Sequence, residues 1–175
     1  MKLSLTQCGE FLSMLMRHEG AVLNEQGEHM AYRCPAGFLT IGYGHNLDAN
    51  PVHGLGEGSV IGEEQARSIL LADAARAEMA VQSAFPWVCG LSLPRLGALC
   101  DMAFCMGIGK VKAFSPMLCA MKEARFDDAA HFAIYRADRV TLHPYVRQVK
   151  GRAWETACQI RTGEWQKGFE AWMKF

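Results

Sequence analysis

The sequence predicts an α+β fold that is mainly helical, with a small antiparallel sheet lobe beside a larger helical lobe. Two segments, 5–18 and 63–85, carry apolar side chains at helical spacing. Between them, residues 21–46 form short apolar runs broken by Gly, Pro and Asn, which is typical of strands and turns. Helical patterning returns after Pro94. We therefore expect the sheet lobe to lie between one N-terminal helix and the helical lobe.

The length of 175 residues fits a single domain, 1–175, divided into two lobes. We expect it to run in four parts: a first helix (1–18), the sheet lobe (19–60), a long connecting helix (61–88) and the helical lobe (89–175).

The composition is that of an ordinary globular protein, half hydrophobic and about a fifth charged. No run reaches the ~20 apolar residues that a membrane span needs, so we expect no stable membrane insertion. No signal peptide is recognisable, which indicates synthesis in a cytoplasm. The seven cysteines form no Cys-x-x-Cys pair, which argues against a disulfide framework or a zinc site. Five lie in apolar sequence and are expected to be buried: Cys8, Cys89, Cys100, Cys119 and Cys158.

Charge is unevenly distributed although the net charge is zero. Up to Trp87 there are five Lys and Arg against ten Asp and Glu, and from Val88 onward there are thirteen against eight. The contrast indicates either two differently charged walls of a cleft or loose surface variation. No basic run or recognisable module predicts nucleic-acid binding.

The first helix is expected to begin near Ser4 and Gln7, which have capping-box spacing, and to end at Gly20. Glu19 then lies at the C-terminal end, where the helix dipole disfavours a carboxylate. Its pKa should be raised unless a cation is nearby.

Turns are predicted at 24–27 and 35–37 and a loop at 49–60. The long helix that follows places Asp73 on the same face as its apolar residues, where a carboxylate requires a partner. The nearly uncharged stretch 95–107 predicts a central helix. Shorter helices are expected at 115–123, 127–136 and 152–161, with Ser115 and Asp127 as N-caps.

Three chemically useful side chains are close in sequence: Glu19, Cys34 and Thr40. If a carboxyl, a thiol and a hydroxyl converged on one cleft, they would supply an acid and a water-holding pair, as hydrolysis by general acid catalysis requires. The turn between Cys34 and Thr40 leaves open whether they share a face.

Four segments appear in the order of a known family: "RHEG" (17–20), "YRCPAGFLTIGYGHNLD" (32–48), "DMAFCMG" (101–107) and "GRAWETACQIRTGEW" (151–165). The chain resembles the phage-type lysozymes, glycoside hydrolase family 24, over nearly its whole length. The resemblance implies a lysozyme-like two-lobe fold and cleavage, with inversion, of the β-1,4 bond between N-acetylmuramic acid and N-acetylglucosamine. It implies peptidoglycan glycan strands as the substrate, no metal or other cofactor, a monomer, and access to periplasmic peptidoglycan after holin-type release.

The family triad is Glu, then Asp or Cys, then Thr, and Glu19, Cys34 and Thr40 match it. A free thiol has a pKa of ~8.5 and is mostly protonated at neutral pH. Cys34 would therefore either hold water as a thiol or act as a thiolate base or charge. The alternative is an unreactive cysteine in a degenerate enzyme.

The spacing before the thiol departs from the family. Fourteen residues separate Glu19 from Cys34 where the family usually has eight, and Glu25 meets the eight-residue spacing. We favour Glu19 because it lies in "RHEG" at a helix end, so that the six extra residues lengthen a hairpin and Glu25 and Glu28 become solvated turn charges.

The resemblance also assigns supporting residues. Arg152 matches a family arginine that approaches the catalytic glutamate, although a surface position is the alternative. His45 and Asp73 match a buried structural pair joining the sheet lobe to the long helix. Two other functions stay open: a non-catalytic peptidoglycan-binding protein, and an antibacterial effector with the same chemistry. Oxidation of Cys34, or a disulfide with another cysteine such as Cys8, is a further possible means of control.

Overall fold

A computed structural model describes residues 4–168 and confirms the mainly helical α+β fold of lysozyme-like architecture. The helices are α1 (Gly9–Glu19), α2 (Glu63–Ala84), α3 (Leu93–Met106), α4 (Ile108–Val111), α5 (Ser115–Lys122), α6 (Phe126–Ile134), α7 (Pro144–Val149) and α8 (Gly151–Thr162). The strands are β1 (His29–Met30), β2 (Tyr32–Arg33), β3 (Leu39–Ile41), β4 (His45–Asn46) and β5 (Val60–Ile61).

The first helix begins later than its sequence pattern predicted. The capping box of Ser4 and Gln7 is present, but it caps a short 3-10 helix, Leu5–Gln7, and α1 starts only at Gly9. Phe11, Met14 and Leu15 form the buried face of α1. Gly20 ends the helix with a φ of 66°, as expected, and this leaves Glu19 as the last helical residue.

The sheet lobe consists of two small antiparallel sheets. One pairs β2, β3 and β4 in sequence order, with Tyr32 opposite Thr40 and Thr40 opposite Asn46. The other pairs β1 with β5, so the predicted loop 49–60 gives its last residue to a strand. Both expected turns are present, with Gly27 and Gly37 at positive φ.

Helix α2 contributes to the cores of both lobes. Ala66, near its N-terminus, packs in the sheet-lobe core with Leu39, Ile41, Leu47 and Ile61. Leu70, Ala74 and Val81, further along, belong to the larger core of the helical lobe. The helix therefore connects the lobes by packing against each in turn.

In the helical lobe α3 is central, because nearly all of its residues from Leu96 to Ala103 are buried. The predicted N-caps are wrong: Ser115 and Asp127 lie within the first turns of α5 and α6, and Phe114 and Arg125 occupy the cap positions. Helices α4 and α7 and the 3-10 helix Pro86–Gly90 have no counterpart in the prediction.

The seven cysteines all lie in the described part of the chain and are free thiols. Cys8, Cys100 and Cys158 are buried as expected, but Cys89 and Cys119 are exposed. Apolar residues adjacent to these two cysteines occupy the buried positions, and the two thiols lie at the surface. Within residues 4–168 no helix is long and apolar enough to cross a membrane.

Candidate active site

Glu19 lies where α1 ends, and its carboxyl is held from the opposite end of the sequence. The Arg152 Nη1 atom of α8 donates to Glu19 Oε1 over 2.8 Å, and the glutamate side chain is 18% exposed. Burial raises the pKa of the Glu19 carboxyl above its ordinary value, although the charge of Arg152 acts to lower it. The group therefore keeps its proton at higher pH than a solvated glutamate does.

Arg152 also binds the fully buried Asp101 of α3. Its Nε and Nη2 atoms lie 3.1 Å and 2.9 Å from the two carboxylate oxygens, a two-point contact that fixes the guanidinium plane. Burial acts to raise the pKa of Asp101, but the charges of Arg152 and His18 outweigh it and hold the pKa below its usual range. Asp101 is therefore the permanent anion that orients Arg152 toward Glu19.

His18 continues this network behind the carboxyl. Its Nδ1 atom lies 3.0 Å from Asp101 Oδ1, and its Nε2 atom lies 3.2 Å from Glu155 Oε2. Burial acts to lower the pKa of His18, but the hydrogen bond to Asp101 and the neighbouring Glu155 carboxylate raise it to about 9. Arg17 contacts Glu155 as well. The imidazole is thus a cation at neutral pH, and alternating charges join α1, α3 and α8.

The thiol lies directly before a three-residue hairpin loop, 35–37, in the connection between β2 and β3. Gly37 N donates to Cys34 O over 2.7 Å, and Cys34 N donates to Phe38 O over 3.0 Å. Gly37 has a φ of +87°, the left-handed position that a type I turn followed by a bulge requires. With Tyr32 opposite Thr40, this loop puts Cys34 opposite Phe38, so that Cys34 and Thr40 share one face of the hairpin.

The Cys34 sulfur faces several donors. Desolvation acts to raise its pKa, but the backbone N–H groups of Ala36 and Phe38 and the hydroxyl of Thr40 outweigh it, and the pKa lies below its ordinary value. Thr40 is 5% exposed, and its Oγ1 atom lies 3.1 Å from Phe38 O. The loop therefore makes Cys34 more acidic than a free thiol and places it beside a hydroxyl fixed by the main chain.

Two observations bring the hairpin and the helical carboxyl to one cleft. Burial raises the pKa of Tyr32, and the negative charges of both Cys34 and Glu19 add to the rise, so Tyr32 lies within electrostatic reach of both groups. A Cβ atom on Gly44, just before β4, would come within 2.8 Å of Glu19 Oε2. The sheet backbone thus lies directly against the carboxyl, with the thiol and the hydroxyl on the same lobe.

The competing glutamate lies elsewhere. Glu25 is exposed in the turn that Asn24 and Gly27 close, and Glu28 is exposed beside it with its carboxylate bound by Asn24 Nδ2 over 3.0 Å. Arg152 contacts Glu19 and not Glu25.

His45 and Asp73 are brought together, with Nδ1 of the histidine 2.8 Å from Asp73 Oδ2. The His45 Nε2 atom lies 2.8 Å from the carbonyl oxygen of Asn50. Since both partners only accept hydrogen bonds, the ring donates from both nitrogens and carries a positive charge. The bond to Asp73 raises the pKa of His45 accordingly. Arg76 also contacts Asp73.

The sequence reasoning missed Asp101, His18 and Glu155. Asp101 is the only acid in α3, where Arg95 is the one other charged residue, and the argument applied to Asp73 would have identified it as a group needing a partner. His18 lies next to Glu19 in "RHEG", and Glu155 follows Arg152 by three residues in the last motif. Cys105, one turn beyond Asp101, is a further thiol within electrostatic reach of Glu19 and Arg152.

The proposed disulfide between Cys34 and Cys8 does not fit this geometry. Cys8 precedes the 11 residues of α1 and Glu19 ends them, so the two lie on the order of 16 Å apart at ~1.5 Å per residue. A disulfide needs Cα atoms within about 7 Å. Tyr32, two residues before Cys34, lies within electrostatic reach of Glu19, at the end of α1 away from Cys8, and both cysteines are free thiols.

No group of three or more His, Cys, Asp and Glu side chains in residues 4–168 is arranged to hold a metal ion. The Glu19 carboxyl is instead bound by Arg152, and the Cys34 sulfur is bound by N–H groups of the hairpin loop.

A mainly helical two-lobed fold with a buried carboxyl at the end of its first helix is of the lysozyme-like class. The model of the family described as phage lysozyme matches residues 23–143. The match covers well over half of the chain, and the protein belongs to the phage lysozyme family, whose members are glycoside hydrolases that degrade peptidoglycan. A comparison with curated proteins gave no match. The matched segment contains Cys34 and Thr40, whereas Glu19 and Arg152 lie outside it.

Proposed function

We propose that this protein is an inverting muramidase that hydrolyses the β-1,4 bond between N-acetylmuramic acid and N-acetylglucosamine. The observation that carries the proposal is the Glu19 carboxyl, buried, bound by Arg152 and facing a hairpin that presents Cys34 and Thr40. Membership of the phage lysozyme family supports the substrate class. Action on periplasmic peptidoglycan after holin-type release is part of the same proposal.

Glu19 is the general acid. Its raised pKa favours the protonated carboxyl that an acid needs, relative to a solvated glutamate, and the contact with Arg152 fixes the direction of the group. As the bond to the anomeric carbon breaks, the proton moves from Glu19 to the leaving oxygen. The new carboxylate is then stabilised by the Arg152 guanidinium, which gains strength as the charge appears.

Cys34 and Thr40 place the attacking water on the other side of the sugar. The Cys34 thiolate accepts one proton from the water while the water oxygen bonds to the anomeric carbon. The Thr40 hydroxyl donates its own proton to the Phe38 carbonyl oxygen, so it orients the water by accepting a hydrogen bond from the water's second proton. Attack opposite the leaving group inverts the carbon, and an acid and base serving such attack stand ~6.5–9.5 Å apart in carboxylate pairs. Exchange with solvent then returns a proton to Glu19 and removes one from Cys34, so no cofactor is consumed.

The decisive experiment digests purified Gram-negative sacculi and identifies the products by mass spectrometry. Products ending in reducing N-acetylmuramic acid, released first as the α-anomer in proton NMR, are expected from an inverting muramidase. Products ending in reducing N-acetylglucosamine, or the β-anomer first, would refute the assignment. Binding to sacculi without any soluble product would show a non-catalytic protein instead.

Two matched variants test the acid. Glu19→Gln keeps the shape but cannot give up a proton, and it should lower turnover by about 10²–10⁴-fold with an unchanged circular dichroism spectrum. Glu25→Gln removes the same charge from the exposed turn and should keep full activity. The reverse result would transfer the role to Glu25.

A further inference from the structure

An aromatic ring is exposed next to the candidate catalytic sulfur. Phe38 is 49% exposed, while its backbone oxygen accepts hydrogen bonds from Cys34 N and from Thr40 Oγ1, at 3.0 Å and 3.1 Å. The ring belongs to neither hydrophobic core. A large apolar side chain in this place therefore contributes little to packing, although its main chain binds the Cys34 backbone and the Thr40 hydroxyl.

The strand register assigns the ring to the cleft side of the hairpin. Side chains alternate along β3, and Leu39 is buried in the sheet-lobe core, so Phe38 and Thr40 project to the opposite face. Cys34 lies across the ladder from Phe38, and Tyr32 lies across from Thr40. The charges of both Glu19 and Cys34 act on the pKa of Tyr32, so this face of the hairpin is the one near the Glu19 carboxyl.

Three of the other exposed apolar residues of the lobe form a different surface. Val22, Met30 and Val60 lie side by side across the β1–β5 sheet, since Met30 N donates to Val22 O and Met30 pairs with Val60. They belong to a different sheet from the β2–β3 hairpin that carries Cys34. Phe38 is therefore the exposed aromatic residue that the hairpin itself carries beside the two polar groups.

We propose that Phe38 is a stacking platform for a pyranose ring of the glycan, in the sugar-binding position next to the bond that is cut. The inference rests on the proposed function. An aromatic face is a large, rigid apolar surface, and the C–H face of an N-acetylated hexosamine is its chemical complement. Stacking covers the ring, positions the sugar above the Cys34 sulfur, and leaves the hydroxyl groups free for hydrogen bonds.

The expected kinetic signature follows from what the ring touches. It contacts the body of the sugar and not the reacting atoms, so it stabilises the bound substrate and the transition state alike. Its loss should raise KM and leave kcat nearly unchanged. A ring that served only to hold the loop would act in the opposite way, through kcat.

The test measures KM and kcat with soluble glycan strands prepared from sacculi by amidase treatment, which removes the peptides. Phe38→Ala should raise KM about tenfold and change kcat less than threefold, and Phe38→Tyr should restore the wild-type KM. Met30→Ala, which removes a 39% exposed apolar side chain from the other sheet, should change neither. Circular dichroism and thermal unfolding check that each variant is folded.

An unchanged KM in Phe38→Ala would overturn the stacking role, and so would a loss confined to kcat. If Phe38→Ala raised KM on whole sacculi but not on the peptide-free strands, the ring would bind a peptide and the proposal would also fall. Failure of the muramidase assignment gives a different result, because the wild-type protein itself would then release no product.

Discussion

The two walls of the cleft are built in different ways. The helical wall joins Glu19 to Arg152, 133 residues away, through buried charges that belong to three helices. The hairpin wall places Cys34 and Thr40 within one loop and its return strand, by backbone hydrogen bonds and a glycine at positive φ. One wall depends on tertiary packing and the other on local geometry.

Because of this difference, substitutions in the two walls should affect the free energy of unfolding and the activity in different ways. Removing one member of a buried charge network leaves its partners unpaired, so a change in the helical wall should affect folding and activity together. A side chain on the hairpin can change while the backbone bonds of the loop stay intact. The hairpin wall should therefore tolerate changes in its reacting group at little cost to the free energy of unfolding.

The largest expected effect is that of Asp101→Asn. The change leaves the Arg152 and His18 charges buried without their anion, and it should lower the free energy of unfolding by about 3–5 kcal/mol. Urea unfolding measures it. Asp127→Asn, an exposed acid on α6, is the control and should stay within about 0.5 kcal/mol of wild type. Equal effects of the two variants would remove the network as the basis of the helical wall.

The next effect is a loss of stability at alkaline pH. The folded pKa of His18 is about 9, above the unfolded value of ~6.5, so its contribution is complete below pH ~6.5 and disappears as pH rises through 9. The loss should be about 3 kcal/mol at 1.36 kcal/mol per pKa unit. Urea unfolding at both ends of this range should show the loss in wild type and not in His18→Gln. The raised pKa of His45 acts in the same direction in both proteins and cancels in their difference.

A change of comparable size, but in activity alone, is expected on the hairpin. Cys34→Ala should lower kcat at least about 100-fold, because the water loses its proton acceptor. Cys34→Asp should stay within about tenfold of wild type, since a carboxylate also accepts. Neither should move the unfolding midpoint. Cys119→Ala, at a distant exposed thiol, should change nothing. A Cys34→Ala enzyme with full activity would leave the thiol without a catalytic role.

The smallest expected effect is a difference in activity between alanine variants of two glycines that have nearly equal backbone conformations. Gly44 and Gly58 have φ values of +78° and +79°, so alanine at either should cost about 1–2 kcal/mol of stability. At Gly44 the new Cβ would press against Glu19 Oε2, whereas at Gly58 it would meet open space. Activity measured after correction for folded protein should fall only in Gly44→Ala. Equal activities would show that the acid tolerates displacement.

The sequence predicted the architecture well and the geometry of the site unevenly. Helical periodicity, together with the glycines and prolines, placed α1, α2 and the hairpin turns because those signals are local. The start of α1 was wrong because a capping box also suits a single 3-10 turn. The short α4 and α7 span only four and six residues, too few to show a period.

The sequence could not predict whether Cys34 and Thr40 lie on the same face of the hairpin, and the reason is specific. Facing depends on whether the loop inserts a bulge, and that is set by the positive φ of Gly37 rather than by residue parity. The contact between Arg152 and Glu19 was expected only by resemblance, because no local pattern connects residues so far apart. Asp101 between them was missed, although its isolation in an apolar helix was visible.

The separation of Glu19 and Arg152 also orders events during synthesis on the ribosome. A chain made from its N-terminus completes the thiol-bearing loop early, when more than a hundred residues are still to be added before the arginine. The guanidinium reaches its carboxyl only after the last helix has emerged and docked. During most of translation the nascent chain therefore has the hairpin part of the candidate site without the contact between Arg152 and Glu19. That contact forms in one late step.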